Sequence, residues 1–394
     1  MVGCDRGGCV LFVPGGGGDP VLHADVRDAG GGLGAAPTVR PGGPPPLPRA
    51  KATAFHLAEG RLREPGPDGG VPDEVPGCGE GGRLPAGWVD AGGGIKAEYR
   101  RRKMIRLVVQ VGLSPEQSDL ERLAAFVDMV GTRTLRTGVN LNWTEKQVET
   151  IRRFLDERQI QVGEVGKYCP LAHPDDRVRS DALAQCKKEI RYAGILGALC
   201  CGFAPGNCNP PDSKLWLHRD NRSEETWQRF VQSVRELDKE AASCGVNLAA
   251  HPMITGPLHS VERMRRLVDE VGSPRVKILL DPVNLATIDA YFDMAGFLNG
   301  MFDALGDDIA AMHAKDVAIY AVSDWGAPWR QSIFHVDEEQ VGKGVLDYDT
   351  VLRRLDGLSG DPLLIIEHIK NDDETILAKH HLEYIARKNG VKLG

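Results

Sequence analysis

Pro362-Leu363-Leu364-Ile365-Ile366-Glu367-His368 is a short apolar run that stops on a carboxylate and an imidazole. Two earlier runs stop in the same manner: 276–280 is followed by Asp281, and 309–312 by His313. Apolar runs of this length read as buried strands. Three of them in series place their terminal side chains along one end of a parallel sheet, where α/β folds build active sites.

Outward from that run, strand-like and helix-like segments alternate from Met104 to the C-terminus. Strands are expected over 105–111, 132–137, 160–168, 198–203, 246–250, 276–280, 309–312 and 363–366. The helices that follow are expected over 117–130, 145–159, 179–196, 224–243, 261–271, within 293–305, 348–358 and 374–388. Thr144, Ser223 and Ser260 stand where N-caps belong, and Gly197 where a helix stops. Eight such units in roughly 290 residues have the size and rhythm of a (β/α)8 TIM barrel, an α/β fold. A doubly wound open sheet competes, but the count of eight and the ligand types at strand ends favour the barrel.

Residues 1–103 read differently. Gly15-Gly16-Gly17-Gly18 and Pro44-Pro45-Pro46 are linker chemistry, and periodic apolar runs are nearly absent. Such a segment cannot bury enough surface to offset its ordering entropy, so it is expected to be disordered. A partner-binding tail is one use for it. Native translation starting at Met104 is another reading, which N-terminal sequencing tests. The barrel is then residues 104–394.

A net charge of −7 argues against non-specific nucleic-acid binding. No apolar run reaches the length of a membrane span, and no signal peptide opens the chain, so cytoplasmic residence is expected. Nine cysteines at irregular spacing, without a CxxC pair, fit reduced thiols rather than a disulfide framework.

His251, Asp281, His313 and Glu367 follow the fifth to eighth strands at matching depth. Neighbouring strands lie about 4.8 Å apart, so four such side chains can converge on one cation. Taken singly, each is more often a turn former or helix cap. Mixed nitrogen and oxygen ligands suit manganese, zinc or cobalt, with magnesium also compatible.

The Leu280-Asp281-Pro282-Val283-Asn284 segment, His313-Ala314-Lys315-Asp316, the Gly342-Lys343-Gly344 turn with Asp347, and Ile366-Glu367 resemble the sugar phosphate isomerase/epimerase superfamily, the xylose isomerase-like TIM barrels. The resemblance covers about 104–394. It implies that Asp281, His313 and Glu367 bind a divalent metal and that Glu367 also moves protons. That superfamily usually carries Glu at the end of the fifth strand, where this chain has His251. The departure weakens a symmetric two-carboxylate epimerase and makes a one-base isomerisation or an elimination more plausible.

The chemistry implied is proton removal beside a carbonyl, with the metal stabilising an enediolate. Glu367 is the first candidate base and His251 the second; Lys315 could neutralise oxyanion charge. Asn284, Asp316 and Glu164 are candidates for substrate contact, as are Trp329 and Arg330 on the long 317–345 connector. That connector could equally be a lid or a contact with a second copy, so a homo-oligomer is compatible with the sequence. The substrate expected is a sugar-like small molecule, with neither nucleic acid nor membrane as partner. Three functions follow: an isomerase or epimerase, a lyase or dehydratase using the same site, and a barrel that binds a sugar or partner without catalysis.

Overall fold

The computed structural model describes residues 104–210, 217–322 and 333–394. Residues 1–103 lie outside the described residues, and so do Trp325, Trp329 and Arg330. The strands are β1 (Arg106–Gln110), β2 (Thr134–Thr137), β3 (Gln161–Tyr168), β4 (Cys200–Ala204), β5 (Asn247–Ala250), β6 (Val276–Leu280), β7 (Ile309–Ala314), β8 (Asp316–Val322), β9 (Ile333–Glu339) and β10 (Leu363–Ile366). All except β8 and β9 form a closed parallel barrel, in which β10 pairs with both β7 and β1. This is the expected TIM barrel. The open-sheet alternative fails because the β1–β10 ladder closes the ring.

The main helices are α1 (Gln117–Val130), α2 (Glu145–Glu157), α3 (Asp176–Ile195), α4 (Glu224–Cys244), α5 (Val261–Val271), α6 (Ile288–Phe292), α7 (Met294–Leu305), α8 (Tyr348–Gly357) and α9 (Asp372–Lys388). Local chemistry sets their starts. Thr144 and Gln147 exchange side chain-to-backbone bonds at the head of α2, a capping box. Ser223 and Ser260 accept from the N–H groups of Thr226 and Arg263. Two starts fall earlier than the sequence suggests, because Asp175 and Asn371 act as caps for α3 and α9.

Alternation along each strand divides the apolar residues into two layers. Val108, Cys200, Ala249, Leu279, Ala311 and Ile365 fill the barrel interior. Trp227, Phe230 and Phe302 belong to the shell between barrel and helices. Each large side chain so buried contributes roughly 1.5–3 kcal/mol relative to leaving it exposed. Two residues beyond the interior layer, toward the C-terminal mouth, the same inward positions carry Gly202, His251, Asp281, His313 and Glu367. The floor of the site is thus the apolar layer beneath it.

The 317–345 stretch is not a plain connector. β8 and β9 pair antiparallel, from Asp316 opposite Glu339 to Val322 opposite Ile333. Only Lys315 separates β7 from β8, so the hairpin springs directly from the barrel mouth.

Candidate active site

A cavity of about 390 Å³ opens at the C-terminal mouth, lined by Arg136, Glu164, His251, His313, Lys315 and Glu367 among others. That volume lies within the ~300–1,000 Å³ range of small-molecule sites. Another cavity, of about 340 Å³, lies at the opposite end of the barrel. Its Arg106 and Lys277 are engaged by Asp361 at 3.2 Å and Asp308 at 2.9 Å, as befits the face of such barrels that serves stability.

Asp281 is the hub of the mouth. Its Oδ2 lies 2.8 Å from His251 Nε2, 3.0 Å from Lys315 Nζ and 3.3 Å from His313 Nδ1. Its Oδ1 accepts from the Asn284 N–H at 3.0 Å. Glu367 Oε2 stands 3.0 Å from His313 Nδ1 and 3.6 Å from Lys315 Nζ. Donor atoms of His251, Asp281 and His313 all lie within 4.8 Å of one another. The structure therefore gathers the four residues read from the strand ends.

Electrostatics at the mouth are those of crowded anions. Burial pushes the Asp281 carboxyl up, but Lys315, His251 and His313 hold it well below the usual range. Glu367 behaves alike: burial raises it, and His313 and Lys315 pull it far down. Burial disfavours the His313 imidazolium, yet the surrounding carboxylates of Asp281, Glu164 and Glu367 raise it well above its ordinary value. His251, beside fewer anions, is lowered by burial. Among the described residues, Asp281, Glu164, Glu367 and Glu338 face two permanent cations, Lys315 and Arg136. Once the His313 proton is displaced, two negative charges remain for a bound cation to balance.

That surplus, and the donor set, fit a divalent cation. His313 Nε2, Glu164 Oε2 and Glu367 Oε2 are buried and lack a hydrogen-bond partner. Unsatisfied buried polar atoms in a native site call for a missing partner. His251, Asp281, His313 and Glu367 would hold the ion.

The remaining residues fall out unequally. Asn284 lines the cavity, its Oδ1 3.0 Å from Lys315 Nζ and its Nδ2 3.1 Å from His251 Nε2. Glu164 enters from β3, with its Oε2 3.4 Å from Arg136 Nε and 3.7 Å from His313 Nε2. Gly166 and Gly202, register partners on β3 and β4, make room for it. A Cβ at Gly202 would lie 2.0 Å from Glu164 Oε1. Asp316, expected to contact substrate, is not among the residues lining the cavity. Its Oδ1 accepts from the N–H groups of Val317 and Leu346, both at 2.9 Å, and its Oδ2 from Gly342 at 3.0 Å. It fastens the base of the hairpin. Gly344 must be glycine for that contact, since a Cβ there would sit 2.3 Å from Asp316 Oδ1.

Two residues at the mouth, Arg136 and Glu338, escape a reading of strand ends, and His368, read only as the neighbour of Glu367, joins them. Arg136 on β2 bridges Glu164 and Glu367, with Nη2 3.4 Å from Glu367 Oε1. With Thr134 it takes the inward positions of Thr134-Leu135-Arg136-Thr137, a signal that alternation carries. Glu338 on β9 reaches Lys315 Nζ at 3.1 Å. His368, at φ 55, pairs with Glu338 and ties the hairpin to β10.

Residues 124–388 match the family model of the xylose isomerase-like TIM barrel. The chain belongs to that family. Among solved structures similar to this xylose isomerase-like barrel is a D-tagatose 3-epimerase-like protein, 16% identical with a TM-score of 0.55, covering 73% of this chain and 98% of that one. D-psicose 3-epimerase from Clostridium cellulolyticum H10 is 16% identical with a TM-score of 0.54, covering 71% and 99%. A xylose isomerase-like TIM barrel protein from Mycobacterium smegmatis, solved in complex with magnesium, is 14% identical with a TM-score of 0.53, covering 73% and 96%. No curated protein matches the chain by sequence. At these identities the structural likeness speaks for the fold. Among the described residues, no helix is long and apolar enough to cross a membrane.

Proposed function

We propose that this barrel is a divalent metal-dependent isomerase or epimerase of a sugar or sugar-derived hydroxy-ketone, working through an enediolate. The observation that carries the reading is the convergence of His251, Asp281 and His313 donors within 4.8 Å, with Glu367 beside them, at the mouth of a closed barrel. The family's solved relatives that are named as 3-epimerases of sugars point the same way.

When bound, the cation would draw electron density from adjacent carbonyl and hydroxyl oxygens. The chain's own groups supply the rest. Glu367 and Glu164 are both held ionised, so either carboxylate can accept a proton from carbon. They reach the cavity from β10 and β3 and share Arg136 between them. Glu164 thereby offers a second carboxylate where His251 does not, and an epimerase needs a second proton carrier. His251, kept neutral by burial, serves as a ligand rather than a base. Lys315, with its ammonium 3.0 Å from Asn284 Oδ1, is positioned to offset oxyanion charge. The hairpin brings Glu338 to the cavity wall beside Lys315.

A panel of ketoses incubated in deuterated water and followed by NMR tests the proposal. Deuterium at the carbon beside the carbonyl, with carbon skeleton and oxygens retained, is the result expected. Loss of water or of an aglycone would instead assign elimination through the same site, and absence of exchange with every sugar that binds would leave a non-catalytic barrel.

A further inference from the structure

Binding a cation through His251, Asp281, His313 and Glu367 would leave Arg136 Nε and Glu164 Oε2 unpartnered. Both atoms are buried and, among the described residues, without a hydrogen-bond partner. They belong to register partners on neighbouring strands, Arg136 on β2 and Glu164 on β3, and both residues line the cavity. Glu164 is 1% exposed. A buried polar atom left in this state calls for a partner.

The two side chains do not close on each other. A guanidinium–carboxylate bond normally runs at about 2.7–2.9 Å and is often two-pronged. Arg136 instead stands 3.4 Å from Glu164 Oε2 through Nε and 3.4 Å from Glu367 Oε1 through Nη2. Its Nη1 donates to Gln110 Oε1 at 2.8 Å, so Gln110 on β1 anchors the guanidinium. Glycine keeps the adjoining wall open: a Cβ at Gly166 would lie 2.5 Å from Glu164 Oε1 and 3.7 Å from Arg136 Nη2. A group that donates and accepts at once suits the gap. A hydroxyl carries one O–H donor and two lone pairs. At an ordinary length of about 2.8 Å to each side, it can donate to Oε2 and accept from Nε–H across 3.4 Å. A carbonyl would satisfy the arginine alone, an ammonium the carboxylate alone, and a phosphate would be repelled by Glu164. The carbonyl and its neighbouring hydroxyl belong with His251, Asp281, His313 and Glu367 and the cation they would hold, so the hydroxyl taken here is a further one.

The geometry points to Arg136 and Glu164 as a subsite that recognises one hydroxyl of the substrate beyond the chelated pair. This inference rests on the isomerase or epimerase reading and adds a specificity-determining residue, Arg136, to it. Glu164 binds the hydroxyl through Oε2, which leaves Oε1 to carry a proton. Hydroxy-ketones too short to carry the additional hydroxyl are poor substrates on this account.

The test takes the ketose that exchanges fastest in deuterated water and its forms lacking one hydroxyl, position by position. Full-length chain, Arg136→Met and Arg136→Lys are compared, all supplied with Mn²⁺. In the unmodified chain, loss of one particular hydroxyl outside the chelated pair should lower kcat/KM by about 10–100-fold, the worth of a hydrogen bond to a charged group. In Arg136→Met that penalty should fall several-fold, because the intact ketose loses a contact that the deoxy form never had. Arg136→Lys should give an intermediate penalty, and it carries the same comparison should Arg136→Met fail to fold. A residue that merely held Glu164 and Glu367 in place would slow both substrates alike and leave their ratio unchanged. An unchanged ratio in the variants, or no outlying hydroxyl whose loss costs at least about tenfold, overturns the subsite and leaves the isomerase reading standing. Exchange with no ketose at all overturns that reading and the subsite with it.

Discussion

Replacing Lys315 by Met keeps much of the side-chain volume but removes a buried ammonium from a ring of anions. In the structure Nζ stands 3.0 Å from Asp281, 3.1 Å from Glu338 and 3.6 Å from Glu367, with the residue 2% exposed. A pair at ~4 Å is worth about 4 kcal/mol at an effective dielectric near 20, before desolvation is subtracted. Breaking one partner out of a buried ionic group costs about 3–5 kcal/mol, because the remaining charge is left uncompensated. The variant should therefore lose about 3–5 kcal/mol in chelator, read by urea unfolding followed by circular dichroism. Although burial alone would lower the Lys315 value, Asp281, Glu367 and Glu338 raise it above normal. A raised folded value means the stabilisation is complete below the unfolded value of about 10.4, and is lost as pH climbs through the folded one. The deficit is thus fully expressed at neutral pH. A divalent cation should restore much of it, about 2.7 kcal/mol at a hundred times its Kd. A loss under about 1 kcal/mol, the worth of a solvent-exposed pair, would refute the reasoning, as would failure of any divalent cation to recover stability.

Glu367→Gln should retain the fold and lose about 10²–10⁴-fold in the rate of proton exchange, measured by deuterium incorporation. Because His313 is held protonated at neutral pH without metal, cation binding should release roughly one proton and weaken as pH falls; calorimetry in buffers of different ionisation enthalpy reads this. Binding heats independent of buffer would remove His313 from the ligand set. Gly202→Ala would place a Cβ 2.0 Å from Glu164 Oε1 and 3.3 Å from Leu279 Cδ2. It should cost about 1–3 kcal/mol by overpacking and displace Glu164, which thermal unfolding and exchange rates would report together.

Much of the architecture is legible because the strand ends and helix caps are local signals. Thr144, Ser223 and Ser260 cap where their side chains imply, and His251, Asp281, His313 and Glu367 converge because each is two residues beyond an inward apolar position. The β8–β9 hairpin is hidden because one residue, Lys315, separates β7 from β8, and because β9 runs into the polar Asp337-Glu338-Glu339. Missing the hairpin conceals Glu338 and the place of Asp316, whose carboxylate accepts from three backbone N–H groups at the hairpin's base. Arg136 and Glu164 stand opposite each other on the neighbouring strands β2 and β3, and that register is not written in either segment alone.

Electron paramagnetic resonance titration with Mn²⁺, which distinguishes free from bound ion, tests the central claim most directly. The carboxylate and imidazole donors at the mouth should take one Mn²⁺ per chain, and Asp281→Asn should lose it while remaining folded. No bound Mn²⁺ in the unmodified chain, or equal binding in Asp281→Asn, would contradict the account.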